Sequence, residues 1–284
     1  MIDNSPLSIT HACSALEVGR RSYYVWKENI QLPDPDLKLR SVMHDIALEF
    51  PKYGYRRMTH ELRRRNACAN HKKVLRIMQE EKLTCKRKRA YTPITTQSGH
   101  GLTVYPNLVK DLAVIGPNHV WVSDITYIRL LREFVYLAVI IDLFSRKCVG
   151  WALSRNVDSQ LALDALHMAI EKRELLGFSS LIHHSDRGVQ YASATYVERL
   201  KQQGIKISMS GKGNVYDNAF AESFMKTLKV EEVYMNEYET FNDVYQNIKR
   251  FIEKVYNEKR LHSGIGYLPP NEYEKEALNK SIKA

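Results

Sequence analysis

Apolar positions recur with two different periods along this chain, and the period changes in its middle. Leu39, Val42, Met43 and Ile46 fall at helical spacing, which predicts a helix from about Leu37 to Phe50, stopped by Pro51. Upstream, Ser8 to Lys27 reads as one or two helices broken near Gly19, with Pro33 and Pro35 marking a break. Downstream, Met58 and Leu62 lie one helical turn apart in Lys52 to Arg65, and 66–70 reads as a turn. Val74, Leu75 and Met78 then give a second short helix, His71 to Glu81, an apolar side, with Asn70 as its N-cap. Two short helices joined by a turn have the outline of a helix-turn-helix.

From Ala90 to Asn118 the chain is rich in Thr, Ser, Gly and Pro and reads as a linker. Beyond it the period shortens. His119–Leu130 alternates β-branched and aromatic residues, Phe134–Phe144 is an apolar strand buried on both faces, and Cys148–Ser154 is a third strand. Their short connections make these three antiparallel neighbours. A helix (Asp158–Glu174), a strand (Leu181–Asp186), a helix (Ser193–Gln203, closed by Gly204) and a strand (Ile205–Ser210) follow. Long helices from Asp217 to about Val233 and from Asn242 to about Lys259 complete the pattern. The order βββαβαβ predicts an α/β protein with a mixed five-stranded sheet flanked by helices, although other three-layer α/β folds begin similarly. The expected organisation is a small all-α helical region at 1–89, a linker at 90–118, the α/β core with its C-terminal helices at 119–272, and a tail at 273–284.

Composition narrows the function classes. The 284 residues are 44% hydrophobic, enough for a real core. The most apolar run, Val135–Ile141, is too short to span a membrane and is followed by Asp142, and no signal peptide is expected. Cysteines at 13, 68, 85 and 148 form no CxxC pair, which argues against a disulfide framework or zinc knuckle and for reduced thiols in a cytosolic protein. The formal charge of +10 is uneven: residues 1–115 hold 20 Lys+Arg against 11 Asp+Glu, net +9, whereas 116–284 hold 22 against 21, net +1. A basic arm on a near-neutral body suits a polyanion. Arg56, Arg57, Arg63, Arg64 and Lys72 on the two short helices, and the run Lys86, Arg87, Lys88, Arg89, are the candidate DNA contacts.

Three acids stand out. Asp124 lies inside the first strand, with Ser123 and Ile125 on the opposite face. Asp186 ends the fourth strand in His183-His-Ser-Asp-Arg-Gly, and Glu222 lies in the helix that starts near Asp217. A carboxylate inside an apolar strand is costly unless something pairs with it. Three carboxylates on separate elements suit phosphoryl transfer assisted by hard divalent ions, which prefer oxygen ligands. Lys226 and Lys229 share a helical face with Glu222 and are placed to hold a nucleic-acid backbone. Other groups read differently. Asp142, with Arg146 four residues on, suits a structural pair better than a fourth active-site carboxylate. His183 and His184 point to opposite faces of a strand, which argues against joint zinc ligation but leaves one as a candidate to face the site. Gly211–Tyr216 reads as a mobile loop over the site, with Tyr216 a candidate for stacking on a base or sugar.

The words around these acids carry a family resemblance. Gly54-Tyr-Arg-Arg, Trp121-Val-Ser-Asp-Ile-Thr-Tyr, Ile141-Asp-Leu-Phe-Ser-Arg-Lys, His184-Ser-Asp-Arg-Gly-Val-Gln-Tyr, Asp217-Asn-Ala-Phe-Ala-Glu-Ser-Phe and Tyr256-Asn…Arg260-Leu-His-Ser-Gly-Ile-Gly-Tyr stand in order over more than 200 residues. Residues 119–272 resemble the catalytic core of the retroviral-integrase superfamily. The whole chain resembles the second-frame product (OrfB) of bacterial insertion sequences with two overlapping reading frames. Leu261, Ile265 and Pro269-Pro270 depart from the family's usual residues in the C-terminal part. The resemblance implies a ribonuclease-H-like core whose Asp-Asp-Glu metal triad falls on Asp124, Asp186 and Glu222, with Lys229 on the family's basic position. It also implies magnesium, with manganese able to substitute, cleavage at element ends, and 3′-hydroxyl strand transfer into target DNA. The implied partners are DNA, further copies of the chain on that DNA, and the first-frame product (OrfA) or a frameshift fusion with it. The implied location is the cytoplasm, at the nucleoid. An inactive DNA-binding regulator and a plain ribonuclease-H-like nuclease are the competing readings. All three acids being present argues against the first, and the basic arm is surplus for the second.

Overall fold

The computed structural model describes residues 6–31, 34–85, 102–173, 177–178, 180–211 and 219–283. The chain forms two compact units, 1–85 and 86–284. In the first, the break near Gly19 separates α1 (Ile9–Ala15) from α2 (Arg20–Gln31), and α3 (Leu37–Glu49), α4 (Tyr55–Arg64) and α5 (His71–Glu80) follow. The Asn70 side chain accepts from the Lys72 backbone N–H and caps α5 as the sequence predicts. Met43, Ile46, Met58, Leu62, Val74, Ile77 and Met78 form the interior of these last three helices, and Phe50 stacks on Tyr53 at 4.5 Å between ring centres. Acidic side chains bind part of the basic excess. Arg40 reaches Asp34, Glu80 and Glu81, Lys73 and Arg76 meet Asp36, and Arg65 meets Glu49 and Glu61.

The second unit is built on β1 (Val120–Arg129), β2 (Phe134–Asp142), β3 (Cys148–Ser154), β4 (Ile182–Ser185) and β5 (Lys206–Met209), in the spatial order β3-β2-β1-β4-β5. β1 pairs antiparallel with β2 along its whole length, from Trp121↔Asp142 to Arg129↔Phe134. It pairs parallel with β4 only over Val120–Val122. α6 (Ser159–Arg173) and α8 (Ala194–Gln202) cover one face through Trp121, Ala138, Ile140 and Val149. On the other face Val122, Ile128, Val135, Leu137 and Val139 meet α9 (Ala219–Glu231) and α10 (Phe241–Arg250). α6 lies so close to β3 that a Cβ on Gly150 would stand 2.2 Å from the Ala165 carbonyl oxygen, so only glycine fits there.

Three local readings change. The short helix α7 (Val189–Ala192) inserts after β4. The helix expected over 242–259 is α10 followed by a wider π turn, Phe251–Tyr256. The wide turn puts Phe251, Ile252 and Tyr256 into the core and ends beside Asn257, whose amide donates to the Cys148 carbonyl at 3.0 Å and accepts from its N–H at 2.9 Å. Of residues 273–284, read as a tail, those up to Lys283 belong to α11 (Pro270–Lys283). Its polar surface hides the reason: Glu274 is buried against Arg173 of α6 and takes Lys147 of the β2–β3 turn at 3.1 Å. No helix of the described residues is long and apolar enough to cross a membrane.

Removing one member of a buried pair strands the other charge. Glu274→Ala is therefore expected to lower stability by about 3 kcal/mol in urea denaturation, and an Arg173→Met/Glu274→Leu double variant to recover most of the loss.

Candidate active site

The register of β1 and β4 sets the geometry. Val122 lies opposite His184; both strands run the same way, so two residues further on Asp124 comes level with Asp186. Neighbouring strands are about 4.8 Å apart, and β4 has ended at Ser185, so the two carboxylates meet where β1 loses its partner. Their mutual effect is plain in Asp124, whose pKa is pushed up to about 7. Burial is the largest cause, and the charges of Asp186 and then Glu222 add to it. The Ile125 N–H, 2.9 Å from the carboxylate, and Lys229 act in the opposite direction.

Asp186 is fixed by its own turn. Its Oδ1 accepts the Gly188 N–H at 2.9 Å, and a Cβ on Gly188 would lie 3.0 Å from that same oxygen. Glu222 is exposed on the first turn of α9, which buries Ala221, Phe224, Met225 and Leu228 against the sheet. Two residues earlier, Phe220 carries the Arg146 guanidinium 3.7 Å above its ring. Lys229, two turns further along α9, is half-buried, with its Nζ 4.5 Å over the Tyr127 ring. Burial lowers its pKa while Asp124 raises it. Lys226 is exposed. Asp124 thus senses the charges of Asp186 and Glu222, yet among the described residues no three His, Cys, Asp or Glu side chains close into a metal-holding group.

Both histidines of the pair are buried and engaged by other side chains. His183 is buried, and its Nε2 meets the Tyr196 hydroxyl at 2.9 Å. His184 is buried between two serines that the sequence reading did not single out, Ser208 on Nδ1 at 2.8 Å and Ser210 on Nε2 at 3.2 Å. The Leu108 N–H donates to Ser208 Oγ at 2.8 Å, and Ser210 Oγ donates to the Ser185 carbonyl at 3.3 Å. Ser210, which donates to the Ser185 carbonyl, accepts from Nε2–H. His184 with its two serines therefore ties the linker to the residue preceding Asp186. The pattern Ser-x-Ser in a short strand beside a histidine-bearing strand is the signal that would have found it. Asp142 is structural, through the backbone: its carboxylate accepts the N–H groups of Asn118, Phe144 and Ser145.

Of the candidate DNA contacts, Arg56, Arg63, Arg64 and Lys72 are exposed on the first unit. Arg57 is half-buried over the Tyr53 ring at 5.7 Å, and Arg64 is 3.9 Å from Glu61. Lys86, Arg87, Lys88 and Arg89 lie outside the described residues, as does 212–218 with Tyr216.

Comparison with known proteins bears on this arrangement. Residues 34–91 match the HTH-like domain family, and 116–215 and 203–270 each match an integrase core domain family. The chain is 36% identical over 277 residues to the transposase InsF for insertion sequence IS3A of Escherichia coli K12, covering 95% of each chain. It is 37% identical over 264 residues, 91% of this chain and 95% of the other, to an uncharacterized 31 kDa protein of insertion element IS600 from Shigella sonnei. Among solved structures, a chain of the simian T-cell lymphotropic virus intasome in complex with PP2A regulatory subunit B56 gamma aligns with a TM-score of 0.46 at 17% identity, over 84% of this chain and 73% of that one. The catalytic core domain of BIV integrase aligns with a TM-score of 0.41 at 18% identity, over 58% and 99%. Fold and sequence together define a polynucleotidyl transferase with an integrase core and an HTH-like DNA-binding region. The chain belongs to the IS3 family of insertion-sequence transposases, of the second-frame type, and acts in DNA transposition.

The Asp124 shift has a testable sign. Below the ordinary value of 3.8 the side chain is protonated in both folded and unfolded protein; as pH rises towards about 7 the unfolded chain ionises first and folding stability is lost. In chelator, Asp124→Asn is expected to melt above wild type at about pH 8, with the advantage fading to nothing below about pH 4.

Proposed function

We propose that Asp124, Asp186 and Glu222 are the catalytic residues of transposition and hold divalent magnesium, with manganese able to substitute. What supports this reading is three carboxylates on separate elements with Asp124 within electrostatic reach of the other two: partly buried in β1, it is pushed up to about 7 by burial and by the charges of Asp186 and Glu222, a concentration of negative charge that a cation relieves. The donors are all carboxylate oxygens, which suit a hard ion. When bound, such ions polarise the scissile phosphate and stabilise the charge that develops on the attacking and leaving oxygens.

The protein's own groups position. In this reading Asp124 follows the β1–β4 ladder, Asp186 follows the end of β4, Glu222 comes from α9, and Lys226 and Lys229 hold the DNA backbone. Two successive in-line displacements are served by this one site: water frees a 3′-hydroxyl at an element end, and that hydroxyl attacks a second phosphodiester. No tyrosine is needed as nucleophile. Burial pushes the Tyr191 hydroxyl well above its ordinary pKa, and the Tyr127 ring lies under Lys229. The exposed arginines of α4 and Lys72 of α5 contact DNA, joined by Lys86–Arg89. The protein works as copies assembled on element ends, with the first-frame product or fused to it, in the cytoplasm at the nucleoid. A plain nuclease or an inactive regulator leaves the basic arm or the shared carboxylate field without a use.

Ala at any one of the three acids is expected to abolish cleavage and joining while leaving folding and most DNA binding intact; near-normal catalysis in magnesium by any of them contradicts the triad. A chiral phosphorothioate at the joined bond is expected to invert once during strand transfer, and retention contradicts direct attack. For the arm, Arg63→Glu/Arg64→Glu is expected to weaken DNA binding and flatten its salt dependence by about 0.9 in log–log slope for each phosphate no longer neutralised. Unchanged affinity at low and moderate salt would make these arginines a solvated face.

A further inference from the structure

Strand β2 opens with a large aromatic that the core does not use. Phe134 is 50% exposed, although every position from Leu137 to Asp142 is buried. It sits beside the candidate active site. Its ring packs edge-on against Tyr127 with centres 5.7 Å apart, and the Tyr127 ring carries the Lys229 ammonium at 4.5 Å. Lys229 in turn acts on Asp124. A continuous path of interactions therefore leads from a carboxylate to an open ring. Tyr127 is three residues from Asp124, about 10 Å along an extended strand, and its side chain leaves the opposite face; β4 pairs with β1 only through Val122, so the edge of β1 between them is open for a strand flanking a phosphate held at the acids to cross.

The surroundings select the occupant. Arg129 is the register partner of Phe134, so both side chains leave the same face of the hairpin, and Arg129 and Arg132 are exposed. The acid between them in sequence and Phe134, Glu133, is engaged by Arg155 at 3.1 Å, and Arg155 also lies 4.8 Å over the Phe241 ring. Leu131, at the hairpin tip, is 63% exposed. An open aromatic flanked by arginines is the composition of a stacking platform for nucleic acid. Paired bases in a duplex hide their faces in the stack, so the ligand that presents a free face is an unpaired base.

We propose that the open end of the β1–β2 hairpin, with Phe134 as its platform and Tyr127, Arg129 and Arg132 around it, is a stacking subsite for an unpaired nucleobase of the DNA strand next to the scissile phosphodiester. The proposal rests on the placement of the reacting phosphate at Asp124, Asp186 and Glu222. It gives the hairpin a use in strand separation at the reacting end: a base that leaves its pair finds a ring to rest on. Sequence tolerance follows, because every base has a π-face.

The test uses the full chain and two DNA probes at one fixed salt concentration: a blunt duplex, and the same duplex with a short single-stranded 3′ overhang carrying 2-aminopurine at its first unpaired position. Wild type is expected to prefer the overhang probe about tenfold, the order expected of one stacked base, and to quench the 2-aminopurine. Phe134→Ala and Phe134→Leu are both expected to bring the preference close to one and abolish the quenching, with blunt-duplex affinity unchanged. Phe134→Trp is expected to keep both. Asp124→Asn, which removes the reaction but not the platform, is expected to quench as wild type does. Equal binding of the two probes by wild type, or quenching that survives Phe134→Leu, overturns the subsite and leaves the transposase reading standing. Failure of wild type to bind either probe overturns both.

Discussion

Everything at the candidate site depends on where one strand pairing stops. β4 accompanies β1 through Val122 and His184 and no further, so Asp124 and Asp186 arrive level with each other at the end of a paired region, on adjacent backbones. Burial and, after it, the neighbouring charges of Asp186 and Glu222 oppose ionisation of Asp124, whose pKa is pushed up to about 7. The fold accepts this cost because the rest of β1 is secured on its other edge by β2, residue by residue, from Trp121 to Arg129.

Other features serve that same corner. Gly188 leaves room for the turn that holds Asp186. Ser208, His184 and Ser210 link the linker to the strand end by hydrogen bonds. On the opposite face, the apolar side of α9 fixes the helix axis and the stack of Arg146 on Phe220 fixes its start, so Glu222 is delivered by packing rather than by a loop. Lys229 is spaced two turns later, where its charge offsets part of the carboxylate field. A divalent cation would offset more, which links the electrostatics of the site to the phosphoryl-transfer chemistry of the family.

Much of this was legible in the sequence, for reasons that can be stated. Alternating residues in His119–Leu130 and the apolar run after Phe134 read as strands because burial on a sheet has period two, and the observed order of elements follows the predicted one. Asp124 stood out because a carboxylate in such a strand needs an explanation. Its nearness to Asp186 was not legible: it follows from the β1–β4 register between segments some sixty residues apart, and nothing local encodes a register. The same applies to α11. Its residues look like a polar tail because the one that anchors it, Glu274, is itself polar and is satisfied by Arg173, about a hundred residues away. The π turn at Phe251–Tyr256 escaped because helical periodicity does not distinguish a widened turn. The basic arm was read from its charge and its two-helix outline, and the structure separates exposed Arg63 and Lys72 from Arg65, Lys73 and Arg76, which acids already hold.

The central proposal is that Asp124, Asp186 and Glu222 form one divalent-metal site. Titration of the full chain with Mn²⁺, followed by the paramagnetic relaxation of solvent water, measures that site without requiring turnover. Wild type is expected to bind the ion, and Asp124→Asn, Asp186→Asn and Glu222→Gln each to weaken it while melting as folded proteins. Mn²⁺ binding that is unchanged in all three variants would contradict the account.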